Sequence, residues 1–322
     1  MESALSLIET ELKSVEQQFR NDLHSEVPLI RKVGEYVLSS GGKRIRPALL
    51  LLSARMCGYR GSRHVSLASV IEFIHTATLL HDDVVDNASL RRGIASANTL
   101  WGNQASVLVG DYLFSKSFSI MVQDGDLDIL RVISAATTMI AEGEVVQLVC
   151  MSDLDVSEER YVDVVKSKTA ILLATACQAG AILGKAAGEM EESLREFGMD
   201  LGIAFQLIDD TLDYVSSEEQ FGKHIGHDLE EGKITLPLIH TLRCCSPAER
   251  KAISDVIMSD TLMVEDFQTV ISLVRAYGGI EYAVDKARTY VERGKARLEP
   301  FQDSPEKRAL LELADYVVTR HR

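Results

Sequence analysis

Three aspartates, Asp82, Asp83 and Asp86, close an apolar run in LLHDDVVDNASLRRG (79–93), and Arg91, Arg92 and Gly93 follow shortly after. An α-helix turns every ~3.6 residues, so Asp82 and Asp86 share one face about a turn apart. Two carboxylates so placed repel each other. A hard divalent cation removes the repulsion, and Mg²⁺ is satisfied by a few carboxylates together with phosphate oxygens. Arginines just past the helix end can fork onto phosphate. A second group, Asp209, Asp210 and Asp213 in FQLIDDTLDY (205–214), also ends an apolar helical run. One DDxxD group alone is weak, because acid pairs often only cover a solvated helix face. Two copies abutting apolar stretches, HTATLLH and GIAFQLI, need compensation for lost hydration. Shared Mg²⁺ holding a diphosphate between facing helices supplies it.

Cations complete the pattern. Lys43, Arg44 and Arg46 in GGKRIRP crowd the start of an apolar helix, where free N–H groups already favour anions. His75 precedes the first acids on their own helix, and Lys168-Thr169 lies on an apolar helix. Lys223 and Lys233 sit in a polar stretch broken by Gly222, Gly226, Gly232 and Pro237. Singly, each has a blander reading: a charged loop, salt-bridge partners, a core histidine, a snorkelling lysine. Together they form two basic sets, one beside the acids and one apart from obvious metal ligands. Two diphosphates bound side by side would use both.

The elements that must position these groups read as helices throughout. Six prolines, few glycine-rich turns and long 3.6-residue periodicity predict an all-α chain with no βα alternation. Helices are expected over about Ser3–Leu23, Pro28–Leu38 and Ala48–Met56, then from about Val65 into the first acids. Trp101 to Gln123 is mostly apolar on all sides, as expected of a buried central helix or a subunit contact. Leu127 to Val149 follows, then a helix capped by Ser157 that leads towards Lys168. Gly180, Gly184 and Gly188 predict close helix packing and then a bend. A helix from about Glu191 delivers the second acids. Ser246-Pro247-x-Glu249 is a capping box, and Ser304-Pro305 starts the last helix. The acid groups, 127 positions apart from Asp82 to Asp209, are two walls of one cavity rather than a tandem repeat.

Composition excludes several classes. With 46% apolar residues among 322, a sizeable core is feasible. A formal charge of −14 argues against nucleic acid. Cys57, Cys150, Cys177, Cys244 and Cys245 are odd in number and form no CxxC pair, as expected of reduced, mostly buried thiols in the cytoplasm. No signal peptide is read at the start, and no apolar run reaches the ~18 residues of a membrane span.

These motifs resemble the trans-isoprenyl diphosphate synthase family. GGKRIRP (41–47), IEFIHTATLLHDDVVDNASLRRG (71–93), KTA (168–170), FQLIDDTLDY (205–214) and FGKHIGHDLEEGKITLP (221–237) match its regions in order, most closely those of the long-chain branch. The resemblance implies one polyprenyl synthase domain over 1–322, an isoprenoid-synthase-type helical bundle around a central cavity. It implies Mg²⁺ on Asp82, Asp86, Asp209 and Asp213, with Asp83 and Asp210 supporting. Lys43, Arg46, His75 and Arg92 would hold isopentenyl diphosphate. Arg91, Lys168, Thr169, Gln206, Lys223 and Lys233 would hold the allylic diphosphate. Arg44 lies within the motif and takes no role from it. The implied reaction is repeated trans condensation to about eight isoprene units, feeding a quinone side chain. The product tail would pass Ala77, Thr78 and Ile74 towards Met121. Ser216 to Gly232 would be a closing loop. A homodimer through helices near 101–123 is expected, with at most transient membrane contact for product release. Two other readings share some features. A terpene cyclase needs no second diphosphate site, and a non-catalytic partner subunit would have decayed acid groups.

Overall fold

The computed structural model describes residues 1–215, 227–258 and 264–319. Their regular elements are helices apart from one small hairpin, as expected of an all-α chain. Contacts cluster into two compact units made of interleaved segments. The first comprises Met1–Thr138, Leu172–Gly198 and Lys295–Leu313; the second comprises Met139–Ile171, Met199–Gly294 and Ala314–Arg322.

In the first unit the chain runs through α1 (Glu2–Ser6), α2 (Glu9–Asp22), α3 (Pro28–Ser39), α4 (Ile45–Met56) and α5 (Arg63–Val85). The expected first helix is broken at Leu7-Ile8, where Ile8 leaves helical geometry and buries its side chain. The central helix is α5: Leu67, Ala68, Val70, Ile71, Phe73, Ile74, Ala77 and Leu80 are all fully buried. It packs against α2, α4 and α7 (Asn103–Asp124), and Phe73 stacks on Phe19 of α2 with ring centroids 4.2 Å apart. Burying most of its circumference explains why α5 lacks the one-sided patterning of a surface helix.

Between α5 and α7 lie β1 (Leu90–Arg91), β2 (Ile94–Ala95) and α6 (Ala97–Trp101). Leu90 pairs Ala95 and Arg91 pairs Ile94, leaving a two-residue loop, Arg92-Gly93, with positive φ at both positions. Two-residue loops of this kind match the strand twist. The hydroxyl of Tyr36 on α3 donates to the Ala95 carbonyl at 2.6 Å and ties the hairpin down.

Of the two expectations for 101–123, only that of a buried central helix needs correcting. Trp101 ends α6, α7 begins at Asn103, and α7 is not buried all round. Val109, Leu113, Ile120 and Met121 face inward, whereas Leu108 and Val122 are exposed. By length and composition alone, α7 and α8 (Leu127–Val149) could each cross a membrane, which no apolar run in the sequence predicts. A helix burying one face in its own fold passes the same test, and both do.

The second unit holds the C-terminal end of α8, α9 (Glu158–Val165), a π-helical turn (Lys166–Ala170) and, after α10 (Ile171–Leu183), the C-terminal half of α11 (Gly188–Val215). Ser157 caps α9 by accepting from the Arg160 amide, as predicted. The helices Leu236–Cys244, Pro247–Ile257 and Val264–Ala276 and most of Gly279–Arg297 complete the unit, with the Ser246/Glu249 capping box in place. Packing at Gly180 and Gly184 is as expected: an added Cβ would lie 2.7 Å from the Leu50 carbonyl and 2.3 Å from the Cys57 Cβ. Gly188 has open space around it and instead opens α11, three residues before the expected start. The five cysteines form no disulfide; Cys177 is buried and Cys244 exposed.

Candidate active site

The first unit gathers the basic motif, the histidine and the first acids onto α4, α5 and the hairpin. Asp82 and Asp83 lie in the last turn of α5, and Asp86 caps it with its amide bonded to the Asp82 carbonyl at 2.8 Å. Asp83 points inward and is 2% exposed. Its carboxylate accepts from Arg91 Nε at 2.7 Å and Nη2 at 2.6 Å. This pair crosses from α5 to the hairpin and fixes where Arg92 emerges.

Arg46 on α4 lies 3.0 Å from His75 Nε2 on α5. A Cβ on Gly42 would come within 3.1 Å of Arg92 Nη1, so glycine there lets the guanidinium lie against the backbone. Loss of hydration, and then the charges of Arg46, Arg92, Arg91 and Arg44, hold the His75 imidazole well below its usual pKa. Four guanidinium groups thus bear on one neutral imidazole beside a helix N-terminus, a setting suited to a polyanion. Lys43 is exposed at the edge of this cluster. Arg44 turns away from it: Nη1 donates to Glu72 at 2.8 Å, Nε to Glu16 at 3.2 Å and Nη2 to the Leu38 carbonyl at 3.0 Å.

The second unit holds the other set. Lys168 and Thr169 ride on the π-helical turn, a feature common at functional sites. Helices approach this turn closely through glycine. A Cβ on Gly143 of α8 would lie 2.8 Å from Ser167 Cβ, and one on Gly202 of α11 2.4 Å from Ala170 Cα. Lys168 Nζ donates to Glu144 at 2.7 Å, and Thr169 donates to Gln206 Oε1 at 2.8 Å. Gln206 passes the chain on to Asp210 Oδ1 at 2.7 Å, while the Tyr161 hydroxyl donates to Asp210 Oδ2. Burial, then the nearby Asp228 charge, pushes the Asp210 carboxyl up to about 8 against the pull of the Tyr161 and Gln206 hydrogen bonds. Asp209 is exposed on the same helix, and Asp213 accepts from the Asp228 amide at 3.0 Å. Lys233 bonds Glu231 at 2.6 Å.

An open cavity in this unit is lined by the polar Lys168, Thr169, Gln206, Asp210, Asp228 and Lys233 and by the apolar Val156, Val164, Val165 and Ile234. Polar groups converging on an apolar pocket are the usual form of a small-molecule site. Lys223 and most of the expected closing loop lie outside the described residues. Sequence reasoning gave no role to Tyr161, Glu144 and Asp228; Glu144 lies 24 positions from Lys168 and Tyr161 lies 49 from Asp210, so local spacing signals neither pairing.

The acids supply only hard oxygen donors, which fit Mg²⁺. Among the described residues, no three or more His, Cys, Asp or Glu side chains are gathered to hold a metal unaided.

A family model described as polyprenyl synthetase matches residues 27–274. The chain belongs to the polyprenyl synthetase family. It is thus a prenyltransferase. It is 43% identical over 322 residues to an octaprenyl diphosphate synthase of Escherichia coli K12, covering all of this chain and 99% of that one. Among solved structures, a polyprenyl synthase from Caulobacter crescentus CB15, complexed with calcium and isoprenyl diphosphate, superposes with a TM-score of 0.96 at 38% identity, covering 100% and 98% of the two chains. A decaprenyl diphosphate synthase from Rhodobacter capsulatus gives 0.95 at 39% identity over 99% and 98%. The helical fold expected from periodicity is thus that of the polyprenyl synthetases.

Proposed function

We propose that this polyprenyl synthetase extends an allylic diphosphate by repeated head-to-tail trans condensation with isopentenyl diphosphate, to about eight isoprene units, for a quinone side chain. The observation that carries most weight is the Arg46, His75 and Arg92 cluster at the α4 N-terminus, in a chain whose two acid groups are intact. A cyclase has no use for a second diphosphate pocket. A non-catalytic partner has no use for two complete DDxxD groups.

Lys43, Arg46, His75 and Arg92 bind and orient isopentenyl diphosphate. Arg91, Lys168, Thr169, Gln206, Lys223 and Lys233 receive the allylic diphosphate. Lys168 and Lys233 must exchange Glu144 and Glu231 for phosphate oxygens when it arrives. Asp82, Asp86, Asp209 and Asp213 would hold Mg²⁺, which when bound neutralises charge on the departing diphosphate. Asp83 and Asp210 keep the two acid groups in place through Arg91 and through Tyr161 with Gln206. As the allylic C–O bond breaks, Arg91 and the lysines stabilise the leaving group. The alkene carbon of isopentenyl diphosphate, held close, attacks the allylic cation. A proton is then lost, and released diphosphate can accept it. The apolar cavity walls exclude the water that would quench the cation.

The growing tail follows α5 away from the acids, past Thr78, Ala77 and Ile74, towards Met121; the last three are buried. The enzyme acts as one domain, as a cytoplasmic homodimer through helices near 101–123, meeting the membrane only to release product. Incubation of a short allylic primer, labelled isopentenyl diphosphate and Mg²⁺, followed by mass analysis, should give long all-trans chains. Ala77→Phe should shorten them. Unchanged chain length in the variant refutes the tail's path, and no incorporation by the parent refutes the activity.

A further inference from the structure

We propose that Arg44 is a positioning residue for isopentenyl diphosphate. It acts through Glu72 and Glu16, and it aims its neighbours Lys43 and Arg46 without touching the ligand itself. The proposal rests on the activity proposed above and assigns a device within it. Three features carry it. Arg44 holds a left-handed backbone, φ 52°, at the position that opens α4, and its carbonyl accepts from the Ala48 amide at 3.1 Å. An L-residue adopts that conformation only when its surroundings hold it there. The holding groups are visible: Glu72 at 2.8 Å, Glu16 at 3.2 Å and the Leu38 carbonyl at 3.0 Å engage all three guanidinium nitrogens.

The second feature is where Glu72 sits. It is three residues before His75 on α5, so the two are neighbours along one face of that helix. Arg44 meets Glu72, and Arg46 meets His75. The turn is thus fastened to α5 at two consecutive points, and the direction of Arg46 depends on the first fastening. The third feature is burial. The Glu72 side chain is 7% exposed and that of Arg44 20%, so the pair is shielded and its geometry is sharply set. Glu16, 45% exposed, is the weaker clamp. Leu38, the last point, lies in the final turn of α3 before the Gly41-Gly42 turn, so one guanidinium ties together both ends of the motif loop.

Electrostatics and positioning predict opposite signs, which makes the test decisive. Glu72 lies close to an anion site. If it acted only through its charge, Glu72→Gln would tighten binding of isopentenyl diphosphate. If it aims Arg46 through Arg44, the same change weakens binding. The experiment measures binding of isopentenyl diphosphate to the full-length protein by calorimetry, with steady-state KM for each substrate. Glu72→Gln and Arg44→Lys should each weaken isopentenyl diphosphate by about tenfold, a loss of about 1.4 kcal/mol. KM for the allylic primer should stay within about twofold in both, and Glu16→Gln should show the same pattern at about threefold. Tighter binding in Glu72→Gln overturns the proposal. So does an unchanged affinity, an equal rise in both KM values, or weakening in Arg44→Lys alone, which would make Arg44 a direct ligand. Should Glu72→Gln fail to fold, Glu16→Gln decides by the same signs. A parent protein that binds no isopentenyl diphosphate refutes the proposed function instead, before any variant is compared.

Discussion

The two DDxxD groups share a pattern and differ in how the middle aspartate is kept. Asp83 is buried against a full positive charge, Arg91, reaching in from the hairpin. Asp210 is equally buried but meets only neutral donors, Tyr161 and Gln206, with Asp228 nearby adding a like charge. The first is therefore an ion pair that must not lose its partner. The second is a carboxyl whose proton is held to about pH 8. One sequence pattern is thus supported by two kinds of chemistry: Arg91 and Gln206 both lie inside recognisable motifs, whereas Tyr161 lies 49 positions from the acid it serves.

The largest effects should come where the groups are alike. Asp82→Ala and Asp209→Ala should each cut turnover by about a thousandfold, as loss of a group that stabilises developing charge does. Incorporation of labelled isopentenyl diphosphate at saturating Mg²⁺ measures it. A loss in one group far smaller than in the other would end the equivalence of the two.

The next effect separates them. Arg91→Leu strands the Asp83 carboxylate in the core, which costs about 3–5 kcal/mol. Gln206→Leu removes one neutral donor and costs about 1 kcal/mol. Urea denaturation reads both, and adding Asp83→Asn to Arg91→Leu should restore most of the loss. Equal costs for the two single changes would show that the contrast has no energetic content.

How far the sequence foretold these sites follows from the same contrast. Contacts between neighbours along the chain were legible: the Ser157 and Ser246 caps, the Asp82/Asp86 spacing, and the run of five motifs. The hairpin at Leu90–Ala95 was not, because its loop is Arg-Gly and lacks the asparagine or glycine that ordinarily marks positive φ at the first position. The π-helical turn at Lys166–Ala170 was also hidden, since a run of five residues is too short to show a period of its own. Tyr161 to Asp210 spans 49 positions and Arg44 to Glu72 spans 28, and periodicity carries no information about such pairs. That α7 leaves one face exposed was also hidden, because an apolar composition does not say which side is covered.

A third prediction concerns pH. An unfolded aspartate releases its proton near pH 4, whereas Asp210 in the fold keeps it to about 8. Between those values the folded state binds the extra proton, so this residue makes stability fall as pH rises. Asp210→Asn removes that slope. Its melting temperature should gain on the parent by several degrees between pH 5 and 8.5, although activity is lost. His75 has the opposite sign: its depressed pKa lowers stability as pH falls below about 6.5, equally in both proteins, so it cancels from the difference. Parallel melting curves would show that Asp210 titrates like an exposed carboxyl.

The smallest effect tests which neutral donor matters. The Tyr161 hydroxyl is buried, and loss of hydration followed by the Asp210 charge pushes its own pKa well above 10, so it remains a donor across the working range. Its hydrogen bond favours the ionised form of Asp210. Tyr161→Phe should therefore cost about 1 kcal/mol above pH 8, where the carboxylate needs the bond, and less at pH 5. It should also move the pH-dependent slope of Asp210 upward, opposite in direction to any change that relieves burial. The same substitution made with Gln206 intact leaves Oδ1 bonded and Thr169 still fastened to Gln206. A loss of the same size at pH 5 and pH 9 would mean that the tyrosine packs the core of the second unit and has no influence on the charge of the acid beside it.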